Sequence, residues 1–283
     1  MTTSQTPSGA PAPTGRAGRN LPAAIASGVG LLALVAASLY FWKAAFVGVV
    51  AAAILVAVWE MRQAFAAKGI AMPFEPLAAG TVLMVVGAYM WGLPAMATLL
   101  AVTAWGLMLW RLRGGVDGFV RDATAGVFTA VYLPFLAGFV TLLLKPDDGP
   151  LRVLTFVLVT IASDIGGYFV GVLAGKHPMA PVISPKKSWE GFAGSAVTCV
   201  VVGWLSVVYL LEGRWWVGVL LGLVAVVMAT LGDLSESVVK RDLGIKDMSS
   251  IIPGHGGVMD RLDSLLATVA PTWLLLYYLV PVR

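Results

Sequence analysis

The chain carries one cysteine in 283 residues, Cys199, set inside an apolar run. A lone thiol excludes an internal disulfide and a cysteine-based zinc site, and it leaves no dithiol for redox work. Charge is scarce as well: Asp, Glu, Lys and Arg together make up 12% of the residues, about half the share usual in soluble domains. With 59% hydrophobic residues and a mean hydropathy of +0.88, the composition is that of an integral membrane protein. The formal net charge of +4 is scattered through short loops rather than gathered on one face or helix, so no nucleic-acid partner is expected.

What the chain has in quantity is long apolar runs. A helix needs about 20 predominantly apolar residues to cross the hydrocarbon core of a bilayer. Nine segments approach or meet that length: Leu21–Tyr40, Ala44–Trp59, Leu77–Met90, Leu93–Trp110, Ala123–Leu144, Val153–Ala174, Phe192–Leu211, Trp215–Leu234 and Leu262–Val280. The second and third are the shortest. The expected fold is therefore all-α, a polytopic membrane helical bundle of about nine transmembrane helices over residues 21–283. Residues 1–20, rich in Pro, Gly, Ser and Thr and without an apolar period, read as a disordered tail. The run that follows exceeds the apolar stretch of a signal peptide, so it reads as an uncleaved first span.

If the N-terminus is cytoplasmic, the cytoplasmic segments hold 14 of the 19 basic residues, and the positive-inside rule favours this orientation over its inverse. Every long polar loop then lies on the cytoplasmic side. The expected localisation is the inner (plasma) membrane, multi-pass, with Ala-rich spans and sparse Lys pointing to a bacterium.

Against this apolar background a polar block stands out, SVVKRDLGIKDMSSIIPGHGGVMDRLD, residues 237–263. Just upstream, Asp233, Glu236, Ser237 and Lys240 stand at i, i+3, i+4 and i+7 and share one helix face. Glu236 and Lys240 also suit a surface ion pair. Within the block, glycines flank His255, and a turn of that kind can turn successive N–H groups toward phosphate oxygens. Asp260 and Asp263 follow at the start of the last span, where the helix dipole favours acids, so capping also accounts for Asp263. Hard oxygen ligands from two helices, Asp233 and Asp260, beside Lys and Arg, suit Mg²⁺-dependent phosphoryl or nucleotidyl transfer. A second polar stretch, Ile183 to Gly191, contributes Lys186 and Lys187 as point charges for a polyphosphate. Asp164 lies in the middle of an apolar run and must face a partner or a polar cavity. His255 suits either proton transfer or service to the turn, His177 reads as solvated, and Cys199 as packing. Gly167, Gly171, Gly175, Gly218 and Gly222 read as close helix contacts.

These residues carry a resemblance. Ser237 to Arg241, Lys246-Asp247, Pro253 to Gly257 and Asp260 to Asp263 resemble the signature of the phosphatidate cytidylyltransferases. Ser184 to Gly191 resembles a second motif of that family, with Ser188 where Thr is common, and Asp164 to Tyr168 a third. The likeness covers the chain from about residue 150. It implies CTP and phosphatidic acid as substrates at the lipid bilayer, with CDP-diacylglycerol and pyrophosphate as products. It also implies a metal centre on Asp233 and Asp260 holding Mg²⁺, with room for a monovalent cation such as K⁺. The expected catalytic residues are Asp233, Asp260, Lys240, Arg241 and Asp263. The expected substrate-binding residues are Asp164, Ser184, Lys186, Lys187, Ser237, Lys246, Asp247, His255, Gly256, Gly257 and Arg261. A homodimer is left open. Two other classes share part of the pattern: a secondary transporter explains the spans and Asp164 but not the glycine-rich turn, and a CTP-using lipid kinase would share the polyphosphate site but label its product from the γ-phosphate.

Overall fold

The computed structural model describes residues 21–252 and 256–282; the expected tail and His255 lie outside the described residues. Among the described residues the chain forms nine long helices: α1 Leu21–Phe41, α2 Lys43–Ala66, α3 Phe74–Trp91, α4 Leu93–Leu112, α5 Phe119–Leu144, α6 Gly149–Ala174, α7 Trp189–Leu210, α8 Trp215–Leu243 and α9 Met259–Leu279. From α2 onward, eight are long and apolar enough to cross a membrane. Helices satisfy their own backbone groups, which an open segment in lipid could not do. The protein is a multi-pass helical membrane bundle.

The two shortest expected spans are longer than their apolar runs. α2 continues seven residues beyond Trp59 to Ala66, and α3 begins at Phe74 with Pro76 in its first turn, where a missing N–H costs little. Within α5, Pro134 falls in a π-helical segment, Val131–Phe135, that absorbs the interrupted hydrogen bonding. α8 ends on Gly244, left-handed at φ 69°, which turns the chain out of the helix.

Helices α6, α7 and α8 pack most tightly, and glycine lets them do so. A Cβ on Gly194 of α7 would stand 2.7 Å from the Gly166 carbonyl oxygen of α6. A Cβ on Gly222 of α8 would stand 2.6 Å from Val200 Cα of α7. The packing role expected for Gly167, Gly171 and Gly222 is what the structure shows, since each faces a neighbouring helix. A short element interrupts the all-helical plan. Strands β1 (Pro178–Ala180) and β2 (Ser184–Ser188) pair antiparallel between α6 and α7. Glu190 anchors their base: Oε2 accepts from the N–H groups of Lys176 and His177, and Oε1 lies 2.5 Å from His177 Nδ1. Ser188 Oγ caps α7 by accepting from Gly191 N at 3.1 Å.

One buried apolar cluster gathers Ile54, Val58, Met61, Leu77, Leu107, Leu133, Met259 and Leu266, so α2 to α5 pack around the start of α9. At the other end of the bundle, buried Arg152 pairs with Asp148 at 2.7 Å and donates to the carbonyls of Leu276, Val280 and Pro281, closing the C-terminus of α9.

Candidate active site

The hairpin delivers a lysine to the signature helix. Lys187 on β2 forms an ion pair with Asp233 on α8, bonding two residues 46 positions apart. Both side chains are about one quarter exposed, so the pair sits at a cavity wall rather than in the packed core. That cavity, about 340 Å³, is lined by Ser163, Asp164, Tyr168, Ser184, Lys186, Lys187, Thr230 and Asp233, among others. Asp164 opens onto it from α6 and lies in the electrostatic fields of Asp233, Asp263, Lys187 and Arg261. Asp164, the stretch from Ser184 to Gly191, and Asp233 just upstream of the polar block therefore meet in one place.

Asp233 leads to a second, more buried cluster. Its Oδ1 accepts from Ser264 Oγ at 2.6 Å, which ties α8 to α9. One turn farther along α8, Glu236 pairs with Lys240 at 2.6 Å, and Lys240 also reaches Asp260 at 2.9 Å. The expected Glu236–Lys240 pair forms, but it is buried rather than superficial: the glutamate side chain is 2% exposed. Burial requires good partners for such charges, and Asp260 on the next helix supplies one. Oε1 of Glu236 is buried without a hydrogen-bond partner.

Asp260 is held on three sides. Besides Lys240 on Oδ1, its Oδ2 accepts from Gly257 N at 2.8 Å and Met248 N at 3.0 Å. The turn before it is closed by a pair of backbone hydrogen bonds between Ile252 and Gly256, the latter with φ 85°, a conformation favouring glycine. Asp263 accepts from Ser264 N and sits beside Glu236 and within the field of Asp233. Capping of α9 falls to another residue: Glu60 of α2 accepts from the N–H groups of Val258 and Met259.

The remaining expected residues are distributed around this core. Ser184 and Lys186 line the cavity, and Gly256 and Gly257 shape the turn. Ser237 is half-buried on α8, while Arg241, Lys246, Asp247 and Arg261 are exposed at the same end of the bundle. Asp233 and Asp260, expected as joint metal ligands, are each engaged by protein partners rather than by one another. Among the described residues, no three His, Cys, Asp or Glu side chains form a cage ready for a metal. Sequence reasoning missed Glu60 and Ser264. Glu60 directly follows the apolar run that ends at Trp59, and Ser264 carries no charge to draw attention.

Comparisons with known proteins bear on this arrangement. The chain matches the model of the Cytidylyltransferase family over residues 22–279. It is 43% identical over 284 residues to the phosphatidate cytidylyltransferase of Mycobacterium leprae (strain TN), covering 93% of this chain and 89% of that one. The phosphatidate cytidylyltransferase of Mycobacterium tuberculosis (strain ATCC 25618 / H37Rv) is 41% identical over 281 residues, covering 93% and 84%. That of Haemophilus influenzae (strain ATCC 51907 / DSM 11121 / KW20 / Rd) is 40% identical over 158 residues, covering 52% and 54%. A match running from the first span to the last leaves one conclusion: this protein belongs to the Cytidylyltransferase family.

Proposed function

We propose that the protein is a phosphatidate cytidylyltransferase, transferring CMP from CTP to phosphatidic acid to give CDP-diacylglycerol and pyrophosphate. The observation that carries this reading is the Lys187–Asp233 contact, which makes one pocket of the hairpin and the signature helix. The pocket volume falls in the range of about 300–1,000 Å³ typical of small-ligand sites. Its walls combine lysines for phosphate oxygens with carboxylates that can share a cation with them. A substrate with two acyl chains also suits the surroundings: Ile165, Tyr168, Phe169 and Val172 on α6 are between 62% and 75% exposed, beside Asp164. The chains can stay in the lipid along that face while the phosphate enters the pocket.

In the reaction, a phosphate oxygen of phosphatidic acid attacks the α-phosphorus of CTP in line. The bond from that phosphorus to the bridging oxygen breaks, and pyrophosphate departs with the electron pair. The attacker is already an anion, so positioning dominates over base catalysis. Lys186 and Lys187 are assigned to the triphosphate, and Lys240, which also bonds Asp260, to a phosphate oxygen. Arg241, exposed at the same end, is assigned to the departing or entering phosphate.

The donor set fits Mg²⁺. Carboxylate oxygens are its preferred protein ligands, and it is commonly held by one or two of them together with substrate phosphates rather than by an all-protein cage. Asp233 and Asp260 are assigned as those ligands. Glu236 and Asp263 lie beside them, so the region gathers four carboxylates. When bound, the cation would neutralise charge developing on the phosphate oxygens.

The end of the bundle bearing the pocket carries most of the basic residues, which supports a cytoplasmic orientation for it and for the N-terminus in a bacterial inner membrane. Purified protein incubated with phosphatidic acid, Mg²⁺ and CTP labelled at the α-phosphate should yield labelled CDP-diacylglycerol and unlabelled pyrophosphate. Transfer of label from the γ-phosphate to lipid, or CTP-independent transport of a solute into vesicles, would refute the assignment.

A further inference from the structure

Every signature residue lies after residue 150, yet the side chain that closes the signature turn comes from the other half of the bundle. Glu60, on α2, is 0% exposed. Its Oε1 accepts from Ser249 Oγ at 2.5 Å and Val258 N at 2.9 Å, and its Oε2 accepts from Met259 N at 2.8 Å. A buried carboxylate is tolerated only when its oxygens are hydrogen-bonded. Here the donors are the backbone N–H groups at the start of α9, which otherwise lack intrahelical partners and sit at the positive end of the helix dipole.

The fit depends on glycine. A Cβ on Gly257 would stand 2.8 Å from Glu60 Oε1, so any larger residue would push the carboxylate or the turn aside. Asp260 grips the same turn from the opposite direction through Gly257 N and Met248 N. Two carboxylates thus clamp one segment. Glu60 fixes Ser249, Val258 and Met259; Asp260, the next residue, is thereby placed against Lys240, and Asp263 one turn later beside Glu236.

We propose that Glu60 is a positioning residue for nucleotidyl transfer, acting through the turn to hold Asp260 and Asp263 in register with α8. This rests on the reading of the Asp233–Asp260 region as the active centre. Glu60 touches neither substrate nor reacting atoms. Its contribution is the placement of the first turn of α9, and a displacement of about 1 Å at such a point can cost about a hundredfold in rate.

The test uses full-length protein in detergent, with Glu60→Gln and Ser249→Ala beside wild type. Glu60→Gln keeps the volume but sets an NH₂ group against backbone donors. It should lower kcat about tenfold to a hundredfold with the KM for phosphatidic acid unchanged, and speed amide hydrogen exchange across residues 247–264 while other helices keep their protection. Ser249→Ala, which leaves the α2 sequence intact but removes the hydroxyl that donates to Glu60 and accepts from Ile251 N, should shift kcat and exchange in the same direction by less, with the melting midpoint unchanged. Glu60→Gln protein that is monodisperse and has wild-type kcat overturns the proposal, as does a lower melting midpoint with unaltered kinetics at low temperature, which would mark a fold anchor only. Should Glu60→Gln fail to fold, wild-type kinetics and exchange in Ser249→Ala overturn it. Absence of CDP-diacylglycerol synthesis by wild type refutes the activity itself, an outcome distinct from these.

Discussion

Replacing Asp260 with Asn removes a negative charge and almost no volume, so its effect can be worked out bond by bond. Oδ1 accepts from Lys240 Nζ at 2.9 Å, and Oδ2 from Gly257 N at 2.8 Å and Met248 N at 3.0 Å. The amide oxygen of Asn can serve the two backbone donors. Its NH₂ group then faces the Lys240 ammonium, donor against donor. Hydrogen bonds to charged groups contribute about 1.5–3 kcal/mol and neutral ones about 0.5–1.5 kcal/mol, so one charged contact is lost and two are weakened. Lys240 keeps Glu236 at 2.6 Å, so its charge is not left alone. The net cost should be about 3–6 kcal/mol, comparable with that of breaking a buried ion pair. Glu60 still holds Val258 and Met259 in place, so the bundle should remain folded. Activity should fall much further, by about 10²–10³-fold or more, because the carboxylate assigned to hold a cation against the reacting phosphates is lost. The assay is CDP-diacylglycerol formation from labelled CTP and phosphatidic acid by the monodisperse fraction, with melting followed in parallel. Folded Asp260→Asn protein with near-normal turnover would refute the placement of Asp260 in the reaction centre.

Other perturbations separate the parts of the molecule. Lys187→Met removes the cation paired with Asp233 and should raise the KM for CTP about tenfold with little change in melting, since partly exposed pairs add little stability; steady-state kinetics and a melting curve check both. Arg152→Met, at the far end of the bundle, leaves Asp148 and three carbonyls without their donor. It should cost about 3–5 kcal/mol, read as a lower melting midpoint with unaltered kcat at low temperature. Gly222→Val drives a side chain into the α7 backbone and should abolish the monodisperse species on size exclusion. Cys199 is wholly buried, so a maleimide reagent should neither label nor inhibit the folded protein.

The spans and the grouping of charges could be read directly because both depend on short-range pattern. Apolar runs separated by charges located the nine long helices among the described residues, and i, i+3, i+4, i+7 spacing put Asp233, Glu236 and Lys240 on one face, where the structure has them. Local pattern misled in two places. The second apolar run stops at Trp59, before Glu60, whereas α2 continues through a glutamate whose charge is met 198 residues away. The segment before α7 read as a polar loop, but pairing of Pro178 with Ser188 and Ala180 with Ser184 makes it a hairpin.

By itself, then, the sequence determined that this is a membrane bundle with a polar signature gathered at one end, because hydrophobic length and charge spacing are properties of neighbouring residues. Tertiary structure decided which charges meet. Lys187 finds Asp233 only because glycines let α6, α7 and α8 close on one another. Lys240 bridges Glu236 to Asp260 only because α9 starts beside the end of α8, and that start is tied down by Glu60. Ion pairs between distant segments depend on the distances set by packing, and those distances are not written in any local stretch of the chain.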